Sequence, residues 1–132
     1  MITLIVLDAN TWIRFARNKG IEPLFARIEV YDLMPVVNAY MLSEIFKVLV
    51  RNKWMTDAQA LKVVDFIKAA VVVKTEQAVY RISPDPKDNY LFDLAIQTNA
   101  AYIISDDAAL LNFKSQPVKV YSTNWFLKHF PV

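Results

Sequence analysis

The sequence predicts an α/β fold, a three-layer α/β/α sandwich around a parallel sheet of about five strands. Three observations predict it. Short apolar runs rich in Val and Ile alternate with longer segments of helical period, the pattern of βα units. No repeat, low-complexity tract or linker interrupts that alternation. The length of 132 residues suits one domain, 1–132, with a single core of ordinary size.

The elements follow in order. "TLIVL" (3–7) is the first strand, and the helix "NTWIRFARN" (10–18) starts just after Asp8. A second helix, "EPLFARI" (22–28), carries Pro23 in its first turn, where its missing N–H has no partner to lose. "LMPVV" (33–37) is the next strand and, with Pro35 inside it, the least regular. Asn38 is placed to cap the helix "AYMLSEIFKVLVRNK" (39–53), and Thr56 to cap "DAQALKVVDFIKA" (57–69). The strand "VVVK" (71–74) follows, and the turn "SPDP" leads into the helix "KDNYLFDLAIQTNA" (87–100). "AYIIS" (101–105) and "VKVYS" (118–122) are the last strands, each succeeded by a short helix, "DAALLNF" and "TNWFLKHF".

Composition narrows the class. Hydrophobic residues make up 55% of the chain, above the roughly 45–50% of an ordinary globular domain. No apolar run approaches the ~20 residues of a membrane span, and no basic segment or small-residue cleavage site marks a signal peptide. With no Cys there is no disulfide framework and no thiolate metal site, so a cytoplasmic location and no membrane contact are expected. The surplus apolar surface points to an oligomer or partner interface, while Trp12, Trp54 and Trp125 are expected in the core. A net charge of +2 tolerates a nucleic-acid ligand without being a signature of one. The single glycine, Gly20, excludes Gly-rich phosphate loops.

The acids carry the chemistry. A strand built for burial that ends in Asp8 poses a question, because burying an unpaired carboxylate costs several kcal/mol or forces its neutralisation. Right-handed crossovers put the carboxyl ends of all parallel strands on one edge, where such sheets bind ligands. Asp8 and the pair Asp106–Asp107 sit on strand ends, and Asp88 and Glu44 reach the same edge from the first and second turns of their helices. Each has a plainer account: Asp8 and Asp107 as helix caps, Asp88 as a partner of a helix dipole, Glu44 paired with Lys47. Together, acids crowded on one rim without cations would repel. An oxygen-only ligand set selects Mg²⁺ or Mn²⁺. The sole histidine, His129, lies near the terminus as a surface residue, so water activated by a bound metal is the expected nucleophile.

The stretches "VLDAN", "EIFKVLVRNKW", "DPKDNYLFDLA" and "YIISDDAALL" resemble the successive motifs of the PIN-domain family, closest to its branch of toxin–antitoxin toxins. The likeness runs from residue 3 to about residue 127. It implies that the family's four acids are Asp8, Glu44, Asp88 and Asp107, that Asn10 is the polar helper after the first acid, and that Ser105 is the Ser/Thr before the last. Two positions depart from the pattern: Ala9 stands where the family has Thr or Ser, and Asp106 where it has a small residue. Asp106 thus competes with Asp107, and Asp85 and Asp93 are lesser competitors.

The resemblance implies an endoribonuclease using Mg²⁺ or Mn²⁺ held by Asp8, Asp88, Asp107 and Glu44, with Asn10 and Ser105 orienting ligands or water. Arg14, Lys47, Arg51 and Lys87 are the candidate phosphate contacts. It also implies an antitoxin partner and a homodimer, for which the helices "EPLFARI" and "AYMLSEIFKVLV" are the expected donors. Three alternatives stand beside it. One is a haloacid-dehalogenase-type phosphatase with Asp8 as nucleophile, disfavoured because Asn10 occupies the place of that family's second Asp. The others are a catalytically silent PIN-like binding module, and DNA rather than RNA as substrate.

Overall fold

β1 (Thr3–Leu7) lies at the centre of a five-stranded, all-parallel sheet of order β3-β2-β1-β4-β5. The computed structural model describes residues 1–17 and 21–132. β1 leads into α1 (Ala9–Arg17), followed by α2 (Ile21–Val30), β2 (Leu33–Val37), α3 (Ala39–Arg51) and α4 (Asp57–Ala70). Next come β3 (Val72–Val73), a 3₁₀ turn (Pro86–Asp88) and α5 (Asn89–Gln97). β4 (Ile103–Ile104), α6 (Ala108–Leu111), β5 (Val120–Tyr121) and α7 (Thr123–His129) complete the order. None of these helices is long and apolar enough to cross a membrane.

The order explains the layers. From β1 the chain moves outward through β2 to β3, then returns to the other side of β1 for β4 and β5. Right-handed crossovers in opposite directions put α1–α4 on one face and α5 and α6 on the other. The reversal occurs between β1 and β4, the switch point at which open parallel sheets leave a crevice beyond their carboxyl ends. Ile5, Val6, Leu7, Val36, Val37, Ile103 and Ile104 are buried in the sheet, with Trp12, Met41, Ile45, Leu49, Ile67, Phe92 and Phe126 among the buried helix side chains. Phe15 of α1 meets Phe126 of α7 edge to face at 6.4 Å.

Local chemistry sets the boundaries. Asn38 caps α3 by accepting from the Met41 N–H at 2.7 Å. Thr56 and Gln59 form a reciprocal capping box at the start of α4. β1 and β2 span the residues expected of them, Pro35 included, paired with Ile5. β3, β4 and β5 are shorter than expected, two residues each, although ladder hydrogen bonds continue past them, as from the Ala101 N–H to the Leu4 carbonyl at 2.8 Å. α3 ends at Arg51 rather than at 53, since Lys53 takes a left-handed φ of 58°. α5 ends at Gln97 rather than at 100, and Asn99, with φ 57°, is the αL residue that follows it. Its start also differs: Asp85 accepts from the Lys87 N–H, and residues 86–88 wind as a 3₁₀ turn before α5 begins. Asn18, the expected last residue of the first helix, and Gly20 lie outside the described residues.

One expectation about burial is corrected. Trp12 is fully buried and Trp125 partly so, but Trp54 is 42% exposed, with the Arg17 guanidinium 3.4 Å above its ring. Met41, Leu42, Ile45 and Leu49 of α3 are buried in the core, whereas Tyr40 in its first turn is 51% exposed. Val30 of α2 and Leu61 and Phe66 of α4 are exposed as well. His129 is exposed, as expected, and stacks on Trp125.

Candidate active site

The last rungs of the β1–β4 ladder assemble the site. Val6 and Leu7 pair with Ile103 and Ile104, so the next step sets Asp8 beside Ser105. The Asp8 N–H donates to the Ile104 carbonyl at 2.9 Å, and the Ser105 N–H to that of Tyr121 at 2.9 Å. Asp8 is thus held by sheet geometry rather than by a loop. One of its oxygens, Oδ1, accepts from the Thr11 N–H at 2.9 Å and caps α1. The other, Oδ2, accepts from the Ser105 hydroxyl. That same hydroxyl accepts from the Asp107 N–H at 3.1 Å, so Ser105 ties the first acid to the last.

These bonds do not neutralise Asp8. Burial pushes its carboxyl above the ordinary 3.8, against the opposing pull of Ser105 and Thr11. Asp88 is pushed up to about 6, first by burial and then by the neighbouring charges of Asp107, Asp85 and Asp8. No side-chain cap hydrogen bond is made by Asp88, and its Oδ2 is buried without any partner. The helix-cap account therefore describes Asp8 and Asp107, which accepts from the Ala109 N–H at 2.9 Å, but leaves Asp88 unexplained.

A pocket of about 210 Å³ opens over this rim, lined by Asp8, Asn10, Glu44 and Asp88, by the cations Arg51 and Lys87, and by Tyr40 and Tyr90. Ser105 and Asp107 are not among its lining residues: Ser105 is buried, and Asp107 is half-buried and close enough for its charge to act on Asp88. Of the four expected phosphate contacts, the pocket gathers Arg51 and Lys87. Arg14 is engaged elsewhere, 3.2 Å from Asp106 and 3.2 Å from the Asn124 carbonyl oxygen, and Lys47 is exposed outside the pocket.

The structure separates the adjacent acids. Asp106 turns away, accepting from the Thr123 N–H and hydroxyl, each at 2.8 Å, and from Arg14. Burial alone would raise its carboxyl, but the Thr123 and Arg14 contacts hold it below the usual range. Asp93 also has a structural occupation: 3% exposed, it accepts from the Val79 and Tyr80 N–H groups at 3.0 and 2.9 Å and pins the chain before the 3₁₀ turn. Asp85 caps that turn.

Sequence reasoning missed Tyr40 and Tyr90. The signal for Tyr40 was its place four residues before Glu44, on the same helix face. For Tyr90 it was only proximity to Asp88. Burial raises the Tyr90 phenol, and the charges of Asp8, Asp88 and Glu44 add to the rise, which places the ring among the acids.

The donor set at the rim consists of oxygens alone, and the orphaned Asp88 Oδ2 is a ligand atom without a partner. Both features fit a hard divalent cation. Among the described residues no three Asp, Glu or His side chains are gathered tightly enough to cage an ion as they stand.

A family model described as "PIN domain" matches residues 4–109. A chain of VapBC2 from Rickettsia felis, solved bound to a DNA fragment from their promoter, is similar in fold, with a TM-score of 0.64 at 14% sequence identity. The match covers 91% of this chain and 98% of that one. No curated protein matches the sequence.

Proposed function

The chain belongs to the PIN-domain family, and on that premise we propose that it is a divalent-metal-dependent endoribonuclease, the toxin of a toxin–antitoxin pair. PIN domains generally use divalent metal ions, and the observation that carries the reading here is the under-compensated pair Asp8 and Asp88. Both carboxyls are raised, one holds an orphaned oxygen, and they share a pocket with Glu44 at the switch point of the sheet. The haloacid-dehalogenase alternative gives way to the family match.

In this reading Asp8, Asp88, Asp107 and Glu44 hold one or two Mg²⁺ or Mn²⁺ ions. When bound, such ions neutralise charge on the scissile phosphate and acidify water. The protein's own share is positional. Ser105 locks one Asp8 oxygen and Thr11 the other, which fixes the carboxylate plane. Arg51 and Lys87, on the pocket wall, bind phosphate oxygens of the RNA backbone, and Asn10 orients water or a ligand at the rim. The likeness to the toxin branch and to a chain of VapBC2 supports an antitoxin as partner. A single functional domain, a homodimer and a cytoplasmic site of action belong to the same proposal.

The test is cleavage of end-labelled single-stranded RNA with Mg²⁺, with Mn²⁺ and with EDTA, by wild type and by Asp8→Asn. The wild type is expected to cut only with metal. Asp8→Asn is expected to lose roughly 10²-fold or more in rate while keeping its far-UV circular dichroism and, without metal, melting at or above the wild-type temperature. A wild-type rate in Asp8→Asn overturns the assignment.

A further inference from the structure

Two depressions meet at the candidate active site. The first is the carboxylate pocket. The second, of about 400 Å³, is bounded by Tyr40, Glu76, Lys87 and Tyr90, and it falls within the roughly 300–1,000 Å³ that accommodates small organic groups. Tyr40, Lys87 and Tyr90 belong to both. A ligand with its reacting centre over the acids therefore continues directly into an open depression flanked by Tyr40 and Tyr90.

The rings are arranged in advance. Tyr40 stands on the first turn of α3, one turn before Glu44, so the two share a helix face. Tyr90 stands on the first turn of α5, two residues after Asp88. They meet edge to face with centroids 5.0 Å apart and planes at 72°. This contact holds Tyr40 in place although it is 51% exposed and contributes nothing to the buried core. Lys87, also exposed, stands where the two depressions join.

From this geometry we propose that Tyr40, braced by Tyr90, is a stacking platform for one unpaired nucleobase next to the cleaved phosphodiester, with Lys87 on the intervening phosphate. The inference rests on the nuclease reading above and deepens it by naming the side chain that holds the nucleotide beside the cut. Aromatic rings hold unpaired bases in a sequence-tolerant way through their π-faces. A base inside a duplex already stacks on its neighbours and has no free face to give. The platform thus selects strandedness rather than sequence.

The experiment uses the full chain and a short RNA carrying one abasic ribonucleotide, moved one position at a time past the cleavage site. KM and kcat are measured for wild type, Tyr40→Ala, Tyr40→Leu and Tyr40→Phe. Tyr40→Ala and Tyr40→Leu should each raise KM roughly ten-fold with little change in kcat, the size of one lost base stack. Tyr40→Phe, which keeps the ring, should restore the wild-type KM. An abasic nucleotide at the position adjoining the cut should raise the wild-type KM to the same degree and add nothing further in Tyr40→Ala, because both remove one interaction. RNA annealed to its complement should be cut at least roughly ten-fold more slowly.

A wild-type KM in both Tyr40→Ala and Tyr40→Leu overturns the platform, as does an abasic penalty that adds to the Tyr40 penalty. Equal cutting of duplex and single strand also overturns the platform, which needs an unpaired base. Should Tyr40→Ala fail to fold, Tyr40→Leu and the abasic series on wild type decide the matter unaided. A wild-type protein that cuts no RNA with either metal overturns the nuclease reading itself, and the platform falls with it.

Discussion

Replacing Asp88 by Asn should make the metal-free protein more stable while abolishing its activity. Asp88 has an ordinary value of 3.8 and is pushed up to about 6 by burial and by Asp107, Asp85 and Asp8. A folded-state value above the unfolded one means that the native state binds the extra proton between those limits, so stability falls as pH rises through that window. At about 1.36 kcal/mol per pKa unit, the full shift corresponds to ~3 kcal/mol of destabilisation at neutral pH. Asp88 is only part-buried and solvent screens its neighbours, so about 1–2 kcal/mol is expected. Asn removes the charge at nearly constant volume. In EDTA at pH 7.5 the Tm of Asp88→Asn should exceed that of wild type by about 3–8 °C, and the two curves should converge near pH 4. Added Mg²⁺ should raise the wild-type Tm and leave the variant unmoved, since only a species that binds the native state stabilises it. A variant that melts below wild type across pH 5–8 without metal would refute the reasoning, because Asp88 would then have a favourable partner.

Two further outcomes are expected. Asn at 107 should reduce RNA cleavage far more than Asn at 106, whereas Asp106→Asn should instead lower stability by about 1–2 kcal/mol through weakened bonds to Thr123 and Arg14; the reverse activity ranking, read in one cleavage assay, would show the wrong acid at the rim. Light scattering at micromolar concentration should give a homodimer, its apolar contact drawn from exposed side chains such as Leu61 and Phe66 of α4 rather than from the buried face of α3; a mass near 15.2 kDa, unchanged on concentration, would rule the dimer out.

What the sequence alone determined about this protein is whatever depends on near neighbours along the chain. β1 and β2 were legible because a five-residue apolar run between helical segments has few other fates in an α/β chain. The caps at Asn38 and Thr56 were legible because a cap bond reaches only three residues ahead. The rim itself was legible too: the rule that parallel strands share a carboxyl edge brings Asp8 and residues 105–107 together without any side-chain geometry. The four family acids and Ser105 needed the resemblance as well as the rule.

Tertiary structure alone decided how side chains separated by many residues divide the work. Asp106 and Asp107 are indistinguishable as letters, and the difference lies in Thr123, which captures one of them across 17 positions. Asp93 is an acid on a helix until residues 79 and 80 fold back to donate to it. Arg14 was drawn from the expected phosphate contacts by Asp106 and Asn124, and Trp54 from the expected core by its place beyond the end of α3 under Arg17. Tyr40 and Tyr90, 50 positions apart, meet only because β2 and β4 flank β1 and bring the starts of α3 and α5 to the same edge. Period and capping are properties of a few consecutive residues, so composition and spacing carry them. A pairing between remote residues depends on strand order and register, which are set by the packing of the whole chain.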